Sequence, residues 1–340
     1  PLGVRGLGCE VMVRLAAFLD AGRSLEEATE RVRLAESLGY DSVWTTQIAS
    51  REPLQVLNHY GHATERIGLG TGVVPFMLRH PALLGMEAAT LDEISGGRLR
   101  LGIGVSHKIT IEGWYGLTLD DPVGRISECT RILREIFQKD GGSFEGRHYV
   151  SRFGFLGYGA RKDLPILWAA MGPKMLRAAA ELADGIVLWM CSPRHIRETI
   201  RPILDAALAE HGRKPEEFEV VAAVPAAVTE DLDAARDAFR SQAFPYLNLP
   251  FYRKEVGAVH PDALAGFDEK MAAGDMAGAL GSLEERFVDE YAGIGSADAV
   301  RAKVEEYRAA GVTLPALGPM GRRAGSGVME RTLEAAVSSP

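Results

Sequence analysis

Hydrophobic residues alternate along the chain between short apolar runs and longer segments in which they recur at helical spacing. The clearest case is Arg66–His107, where two runs rich in Gly, Val, Ile and Leu, Ile67–Pro75 and Leu99–Val105, flank the amphipathic segment Pro81–Ile94. A short, continuously apolar run is typical of a strand buried in a parallel sheet. The segment between them starts with Pro and is followed by a Gly-Gly pair, which are helix start and stop signals. We therefore predict one β-α-β unit here.

The same alternation continues and predicts about eight strand–helix pairs, the number that a (β/α)8 TIM barrel needs. Strands are expected at Glu10–Phe18, Asp41–Thr46, Ile67–Pro75, Arg98–Val105, Leu164–Ala170, Asp184–Met190, Phe218–Val228 and Val312–Leu317. Helices are expected at Leu25–Leu38, Pro53–Thr64, Pro81–Ile94, Pro122–Phe137, Pro173–Leu182, Pro193–Ala209, Glu230–Ala243, Ala297–Ala310 and Gly321–Val337. A helix–Gly–strand junction recurs at 38–44, 182–189 and 310–314 and favours a closed barrel over an open α/β sheet, which uses the same junction.

Two stretches interrupt this pattern, at 106–121 and 244–292. The first carries Gly, Trp, Tyr and paired Asp without a clear period, and the second holds Pro245, Pro250 and Pro261 among scattered aromatic residues. We predict that both are insertions in a single domain spanning 1–340, and that they form part of a lid or pocket wall. A third irregular segment, Asp140–Tyr158, is expected to contain a short hairpin.

Composition places the chain among ordinary globular proteins. It has 340 residues, 46% hydrophobic and 25% charged, with a formal net charge of −8. No basic stripe suggests nucleic-acid binding, and no apolar run approaches the roughly 18 residues of a membrane span. The first ten residues carry no secretion-signal pattern, and Cys9, Cys129 and Cys191 are too scattered for a metal site, so we expect a cytoplasmic protein with reduced thiols.

The candidate functional residues are those that come directly after the predicted strands, because TIM-barrel sites lie at the carboxyl face of the barrel. The G-x-G pairs that end the third and fourth strands permit either a bulge or the close approach of a ligand. His107 follows the fourth strand and can donate or accept a proton near neutral pH, although an isolated His is often structural. Trp114, Trp189 and Met190 are candidates for a substrate pocket, with core packing as the alternative.

The turn between the fifth strand and its helix reads Ala169–Met175. A helix start offers free backbone N–H groups and a partial positive charge, so it can hold a phosphate. An ordinary tight strand-to-helix connection would have the same spacing.

These motifs together resemble the bacterial luciferase-like monooxygenase superfamily, and more closely its coenzyme F420-dependent oxidoreductase branch. The resemblance rests on RIGLGTGVVPFMLRHPALLGMEAATLDEISGGRLRLGIGVSH at 66–107 and on PILWAAMGPKMLRAAAELADGIVLW at 165–189. The segment GIGVSH is similar to the deazaflavin branch. The resemblance implies a luciferase-like TIM barrel that binds a flavin-like cofactor and forms a homodimer through helices beside the second and third strands.

The resemblance also implies positions for the cofactor. A non-proline cis peptide is expected at Gly72–Val73, in a bulge that presses on the central ring of the cofactor. The cofactor phosphate would bind at Met171, Gly172, Lys174 and Met175, with Pro173 fixing the helix start. Further contacts are expected from the strand-end residues Thr46, Gly104, Val105, Ser106 and His107.

This chain departs from several relatives at two places that carry proton transfer. Where they have Asp-His, it has Thr46-Gln47, and where those acting on sugar phosphates have a Glu, it has His107. Gln47 cannot act as an acid and could only hydrogen-bond the substrate or cofactor. The departure disfavours a sugar-phosphate substrate and leaves His107 as the main candidate acid.

We therefore expect an F420-dependent oxidoreductase that transfers a hydride between the deazaflavin C5 and a small organic or peptide-natural-product substrate. Reduction of a C=C, C=N or C=O bond is the expected direction. The alternatives are an FMN-dependent monooxygenase that uses O2, and a barrel that binds cofactor without catalysis.

Overall fold

The computed structural model describes residues 14–47, 51–320 and 327–337. Eight parallel strands form a closed barrel in chain order, with the eighth strand paired to the first. The predicted TIM barrel is therefore confirmed, and the open-sheet alternative is wrong. The barrel strands are Ala16–Phe18, Ser42–Thr45, Gly68–Thr71, Leu99–Gly104, Ile166–Ala169, Gly185–Leu188, Glu219–Val228 and Leu314–Pro319. An additional short strand, Gly293–Gly295, pairs with the carboxyl end of the seventh strand.

Helices follow the strands, largely as the pattern predicts. They span Leu25–Ser37, Pro53–Ala63, Pro81–Ile94, Pro122–Lys139, Pro173–Leu182, Pro193–His195, Arg201–Glu210, Leu232–Leu247, Ala297–Ala309 and Val328–Val337. The limits of Pro81–Ile94 and Pro173–Leu182 match the prediction to the residue, because a Pro at the first helical position marks each start. The helix expected at Pro193–Ala209 contains a turn of π-helix, Ile196–Ile200. Residues 10–13 of the first predicted strand, Cys9 and residues 321–326 lie outside the described residues.

The third strand, predicted as the run Ile67–Pro75, is interrupted at the position where the resemblance implies a bulge. It ends at Thr71 and resumes at Val74. Across the break the pairing with the fourth strand shifts by one residue, from Gly70 opposite Arg100 to Val74 opposite Ile103. One extra residue in one strand of a pair is a β-bulge.

The glycines of the fourth strand give this bulge its space. A β-carbon added to Gly102 would lie 1.9 Å from the Thr71 carbonyl oxygen, and one added to Gly104 would lie 2.5 Å from Val73 Cγ2. Both distances are far below van der Waals contact. This G-x-G pair therefore makes room for the bulge of the neighbouring third strand.

Much of the motif that carries the family resemblance builds the opposite, amino-terminal end of the barrel. Asp92 is only 3% exposed, and its carboxylate accepts a hydrogen bond from Leu99 N at 3.0 Å and pairs with both Arg161 Nε and Nη2 at 2.9 Å. Gly96 and Gly97 have φ of +70° and +82°, which Gly adopts without steric cost. These residues fix the entry to the fourth strand and lie away from the carboxyl rim.

A network of four charged side chains closes that amino-terminal end. Arg14 pairs with Asp41 at 2.8 Å and with Glu219 at 2.7 Å, while Arg100 pairs with the same two carboxylates at 2.6 and 3.7 Å. Burial alone would raise the pKa of Asp41, but Arg14 and Arg100 hold it below its ordinary value. The network links four barrel strands that are distant in sequence.

The stretch at 244–292 is helical, contrary to the expectation that its prolines mark irregular chain. Pro250 and Pro261 each stand at the first position of a helix, where the missing N–H costs nothing. Pro245 lies inside the helix Leu232–Leu247, and four shorter helices follow, Pro250–Val259, Pro261–Ala272, Met276–Gly281 and Glu285–Tyr291. Their apolar side chains form a second core beside the barrel, which includes Phe239, Phe267 and Phe287.

The other irregular segments are short. Residues 107–121 contain one turn of π-helix, Ile109–Trp114, and the expected hairpin is present as Gly142–Glu145 paired with Val150–Phe153. Cys129 and Cys191 are buried free thiols. None of the helices in the described part of the chain combines the length and hydropathy of a membrane span, and these residues contain no cluster of metal-binding side chains.

Candidate active site

The candidate site lies on the carboxyl rim of the barrel. The second to sixth strands are neighbours in a parallel sheet, so the residues after their carboxyl ends meet along one edge. These are the residues that the sequence singled out, namely Thr46 and Gln47, Gly72 and Val73, Gly104 to His107, Met171 to Met175, and Trp189 and Met190.

The bulge in the third strand contributes the first part of this rim. The Gly72–Val73 peptide bond is cis, as the resemblance implies. The second strand holds the bulge on its other side: Gly72 N donates to Thr45 O at 2.7 Å, and Gln47 N donates to Val73 O at 3.4 Å. The bulge is therefore fixed by the strands on both sides.

The side chain of Gln47 is oriented by a buried arginine. Its Oε1 accepts a hydrogen bond from Arg79 Nη1 at 3.3 Å, and Arg79 in turn pairs with Glu52 at 2.6 Å and Glu87 at 2.9 Å. Because the amide oxygen faces Arg79, the amide NH2 is the end that can donate to a ligand. Burial raises the pKa of Glu87, against the opposing effect of Arg79.

His107 lies on the rim beside two tyrosines from the helical insertion. Its ring centroid is 5.9 Å from that of Tyr246 and 5.8 Å from that of Tyr252, and both contacts are edge-to-face. Burial lowers the pKa of His107 below its ordinary value of 6.5, which favours the neutral form of the imidazole. The preceding residue, Ser106, has a left-handed backbone with φ of 59°, a conformation that is uncommon outside Gly and often occurs at functional sites.

The predicted pocket residues separate into two groups. Trp189 contacts Tyr246 with ring centroids 5.6 Å apart, and the buried Met190 that follows has a left-handed φ of 54°. Trp114 is 53% exposed on the π turn, and the ring contacts among the described residues do not connect it to this aromatic group. The structure thus brings Trp189, but not Trp114, into the same cluster as His107.

The turn after the fifth strand has the form of an anion site. Gly172 caps the helix Pro173–Leu182 without a side-chain hydrogen bond, and the first helical bond runs from Leu176 N to Gly172 O at 2.9 Å. The N–H groups of Lys174 and Met175 precede that bond and have no partner within the helix, whereas Pro173 has no N–H. This donor set, at the positive end of a helix, suits a phosphate.

Sequence reasoning missed the insertion side chains that reach the rim. Tyr246 and Tyr252 contact His107, and the Phe251 ring lies so close to Gly172 that a β-carbon there would be 3.2 Å from it. Glu255 reaches His195 at 3.0 Å. Helical spacing of residues 251 to 256 was the available signal, and the neighbouring prolines concealed it.

Comparison with known protein families identifies the family to which this chain is similar. Residues 7–314 match the model of a family described as luciferase-like monooxygenase. The chain belongs to the luciferase-like monooxygenase family. This confirms the resemblance drawn from the strands, the bulge and the turn before Lys174, and the barrel described above is the family fold.

Individual proteins with similar sequences or structures allow a closer comparison. The chain is 33% identical to a 5,10-methylenetetrahydromethanopterin reductase of Archaeoglobus fulgidus, over 83% of this chain and 86% of that protein. It is 31% identical to a putative coenzyme F420-dependent oxidoreductase of Mycobacterium tuberculosis, over 84% and 88% of the two chains. The structure of the coenzyme F420-dependent tetrahydromethanopterin reductase of Methanopyrus kandleri is similar with a TM-score of 0.82, at 25% identity and over 96% and 97% of the chains.

Proposed function

We propose that this luciferase-like protein is a coenzyme F420-dependent oxidoreductase. The observation that carries the proposal is the placement, on neighbouring strands, of His107 among aromatic rings and of the phosphate-type turn at Gly172. The support from relatives is that the Mycobacterium protein and the Methanopyrus structure are both named for F420.

The residues on the rim fit such a cofactor. The free N–H groups of Lys174 and Met175 would hold its phosphate, with Met171 and Gly172 forming the rest of the turn. The bulge at Gly72–Val73 would support the ring system, and the strand-end residues Thr46, Gly104, Val105 and Ser106 would surround it. When bound, the deazaflavin supplies a hydride from C5.

The chain's own residues would supply binding and a proton. His107 would donate a proton to the substrate centre next to the one that receives the hydride, or accept it in the reverse direction. Gln47, with its oxygen held by Arg79, would donate a hydrogen bond through its amide NH2. Tyr246, Tyr252 and Trp189 would limit the access of water to His107.

We infer that the substrate is a small organic molecule or a peptide natural product with a reducible C=C, C=N or C=O bond. Trp189 and Met190 would line its pocket, with Trp114 at the exposed edge. An FMN-dependent monooxygenase using O2 is the second candidate, favoured by the description of the matching family.

We also propose that the chain is a single cytoplasmic barrel domain with insertions at 106–121 and 244–292, and that it forms a homodimer. The support for a dimer is an apolar stripe on the helix Pro81–Ile94, where Leu83, Met86 and Ile94 are 47%, 44% and 39% exposed. These positions share one helix face. The free thiols Cys129 and Cys191 agree with a reducing compartment.

The cofactor proposal is tested by titrating the purified chain with F420 and, separately, with FMN while protein fluorescence is recorded. We expect saturable quenching by F420 and none by FMN at the same concentrations. Tight binding of FMN without binding of F420 would overturn the proposal in favour of the monooxygenase.

Catalysis is tested by following the oxidation of reduced F420 with 2-cyclohexen-1-one, acetone or 5,10-methylenetetrahydromethanopterin as the acceptor. For an accepted substrate, His107→Gln is expected to retain F420 binding and to lose about 10²–10⁴-fold in kcat, the usual contribution of a general acid. His62→Gln, at an exposed position at the end of the helix Pro53–Ala63, is the matched control. If His107→Gln turns over at the wild-type rate, His107 is not the acid.

A further inference from the structure

One helix of the insertion, Pro250–Val259, contacts three neighbouring parts of the rim. Phe251 lies against Gly172 after the fifth strand, where an added β-carbon would be 3.2 Å from its ring. Tyr252 contacts His107 after the fourth strand, with ring centroids 5.8 Å apart. Glu255 Oε2 lies 3.0 Å from Nε2 of His195, in the helix turn that follows the sixth strand.

Helical geometry explains how ten residues reach three strand ends. Residues four apart in a helix lie on the same face, so Phe251 and Glu255 point the same way, and Tyr252 is adjacent to that face. The helix therefore lies across the rim with its first turn over the candidate phosphate turn.

The contact between Glu255 and His195 joins this helix to the barrel. Both side chains are largely buried, with exposed fractions of 15% and 6%. An ion pair of the same helix, between Arg253 and Asp268, joins it to the next helix within the insertion, and Arg253 Nη1 also donates to Leu247 O at 3.0 Å. Burial lowers the pKa of His195 and the Glu255 carboxylate opposes that shift, so the two groups form a close polar contact rather than an ion pair of two full charges. Removing either side chain leaves the other buried polar group without this neighbour, which is costly.

The surroundings of His107 depend on this placement. The side chains that face its ring are Tyr246 and Tyr252, which carry no charge near neutral pH, and burial is the cause of its lowered pKa. Water that reached the imidazole would stabilise the protonated form and return the pKa toward 6.5.

We propose that Glu255 is a positioning residue for His107: its contact with His195 fastens the helix Pro250–Val259 across the rim and so keeps Tyr252 against the imidazole. The catalytic meaning of this arrangement rests on the proposed function, in which His107 handles the proton. The arrangement itself is a property of the chain without cofactor or substrate.

The test is an NMR pH titration of the full chain labelled with [13C]histidine, with the His107 signal assigned by its loss in His107→Gln. We expect Glu255→Ala to raise the His107 titration midpoint toward 6.5 and Tyr252→Ala to do the same. Asp268→Asn, which breaks the ion pair on the other side of the same helix but keeps the bond from Arg253 to Leu247 O, is expected to leave the midpoint unchanged.

A double variant separates the pair from general loosening. If Glu255 acts through His195, Glu255→Ala combined with His195→Ala shifts the His107 midpoint no further than Glu255→Ala alone. The proposal is overturned if Glu255→Ala leaves the midpoint unchanged while Tyr252→Ala raises it, or if Asp268→Asn shifts it equally. Should Glu255→Ala fail to fold, His195→Gln, which keeps a polar side chain at the other end of the pair, is measured in its place against the same control.

The NMR titration also allows the positioning role and the proposed function to be tested independently. His107 titrates whether or not the chain binds F420, so a failure to bind F420 would count against the proposed function alone. A wild-type midpoint in Glu255→Ala, with F420 binding intact, would count against the positioning role alone.

Discussion

Thr71 makes two hydrogen bonds to the main chain of Gly102, donating to its carbonyl oxygen and accepting from its N–H, each at 2.7 Å. The hydroxyl thus joins the third and fourth strands at the bulge, where their regular pairing is interrupted. Both Gly102 groups are buried, so the hydroxyl satisfies main-chain atoms that water cannot reach.

Replacing that hydroxyl should therefore destabilise the barrel. Thr71→Val keeps the shape of the side chain but leaves the Gly102 N–H and carbonyl without partners, at a cost of about 1–3 kcal/mol for each group. The measurement is the free energy of unfolding in urea. Thr71→Ser keeps the hydroxyl and is expected to lose less than Thr71→Val, and equal losses in the two variants would show that the bonds do not matter.

The second prediction concerns the space that Gly104 leaves for the bulge. Gly104→Ala would place a β-carbon 2.5 Å from Val73 Cγ2 and 3.0 Å from Ala169 Cβ. Overpacking of this kind costs about 1–3 kcal/mol. Because Val73→Ala removes the nearer clash, we expect the double variant to be more stable than the sum of the two single changes, by about 0.5–3 kcal/mol. Strict additivity in thermal or urea unfolding would contradict the close contact.

The third prediction concerns the pH dependence of turnover. Burial holds the pKa of His107 below 6.5. In the reducing direction the imidazolium must donate, so kcat/KM is expected to fall about tenfold per pH unit as pH rises above that pKa. In the oxidising direction the neutral imidazole accepts the proton, so the rate rises with pH and then levels. The measurement is kcat/KM between pH 5 and 8. If the same pH dependence of kcat/KM persists in His107→Gln, a titrating group other than His107 causes it.

The fourth prediction concerns the proposed homodimer. Met86→Lys places a charge in the middle of the exposed stripe formed with Leu83 and Ile94, and burying an uncompensated charge in an interface is unfavourable. We expect light scattering to show a dimer for the wild type and a monomer for Met86→Lys. Met276→Lys, at an exposed apolar position of the insertion, is the control and should remain dimeric. A monomeric wild type, or a dimeric Met86→Lys, would exclude this surface as the interface.

The barrel could be predicted from sequence because its signals are local. Pro81 and Pro173 mark helix starts, apolar runs mark buried strands, and the residues after those runs define the rim. His107 and the Gly172 turn were found in this way, without knowledge of any distant contact. The family resemblance then supplied roles that spacing alone left open.

The rest of the site depends on contacts between segments that are far apart in the chain. The spacing of residues 251 to 256 indicates a helix, but which groups Tyr252 and Glu255 contact follows only from how the insertion packs on the barrel. The segment around Asp92 shows the opposite case. Its motif is prominent in the sequence, but its residues support the start of the fourth strand and not the rim. Sequence alone does not distinguish a motif that binds ligand from one that supports the chain.

The charged network at the amino-terminal end of the barrel has a consequence for the synthesis of the chain. Its pair between Arg14 and Glu219 joins residues that are 205 positions apart. A chain emerging from the ribosome carries Arg14 and Arg100 with only the Asp41 carboxylate of this network long before Glu219 is made, and domains generally fold as units. The network is thus completed only after roughly two thirds of the chain exist, and the barrel closes later still, when the eighth strand Leu314–Pro319 can pair with the first. An amino-terminal fragment that stops short of Glu219 would leave Arg14 and Arg100 sharing the single carboxylate of Asp41.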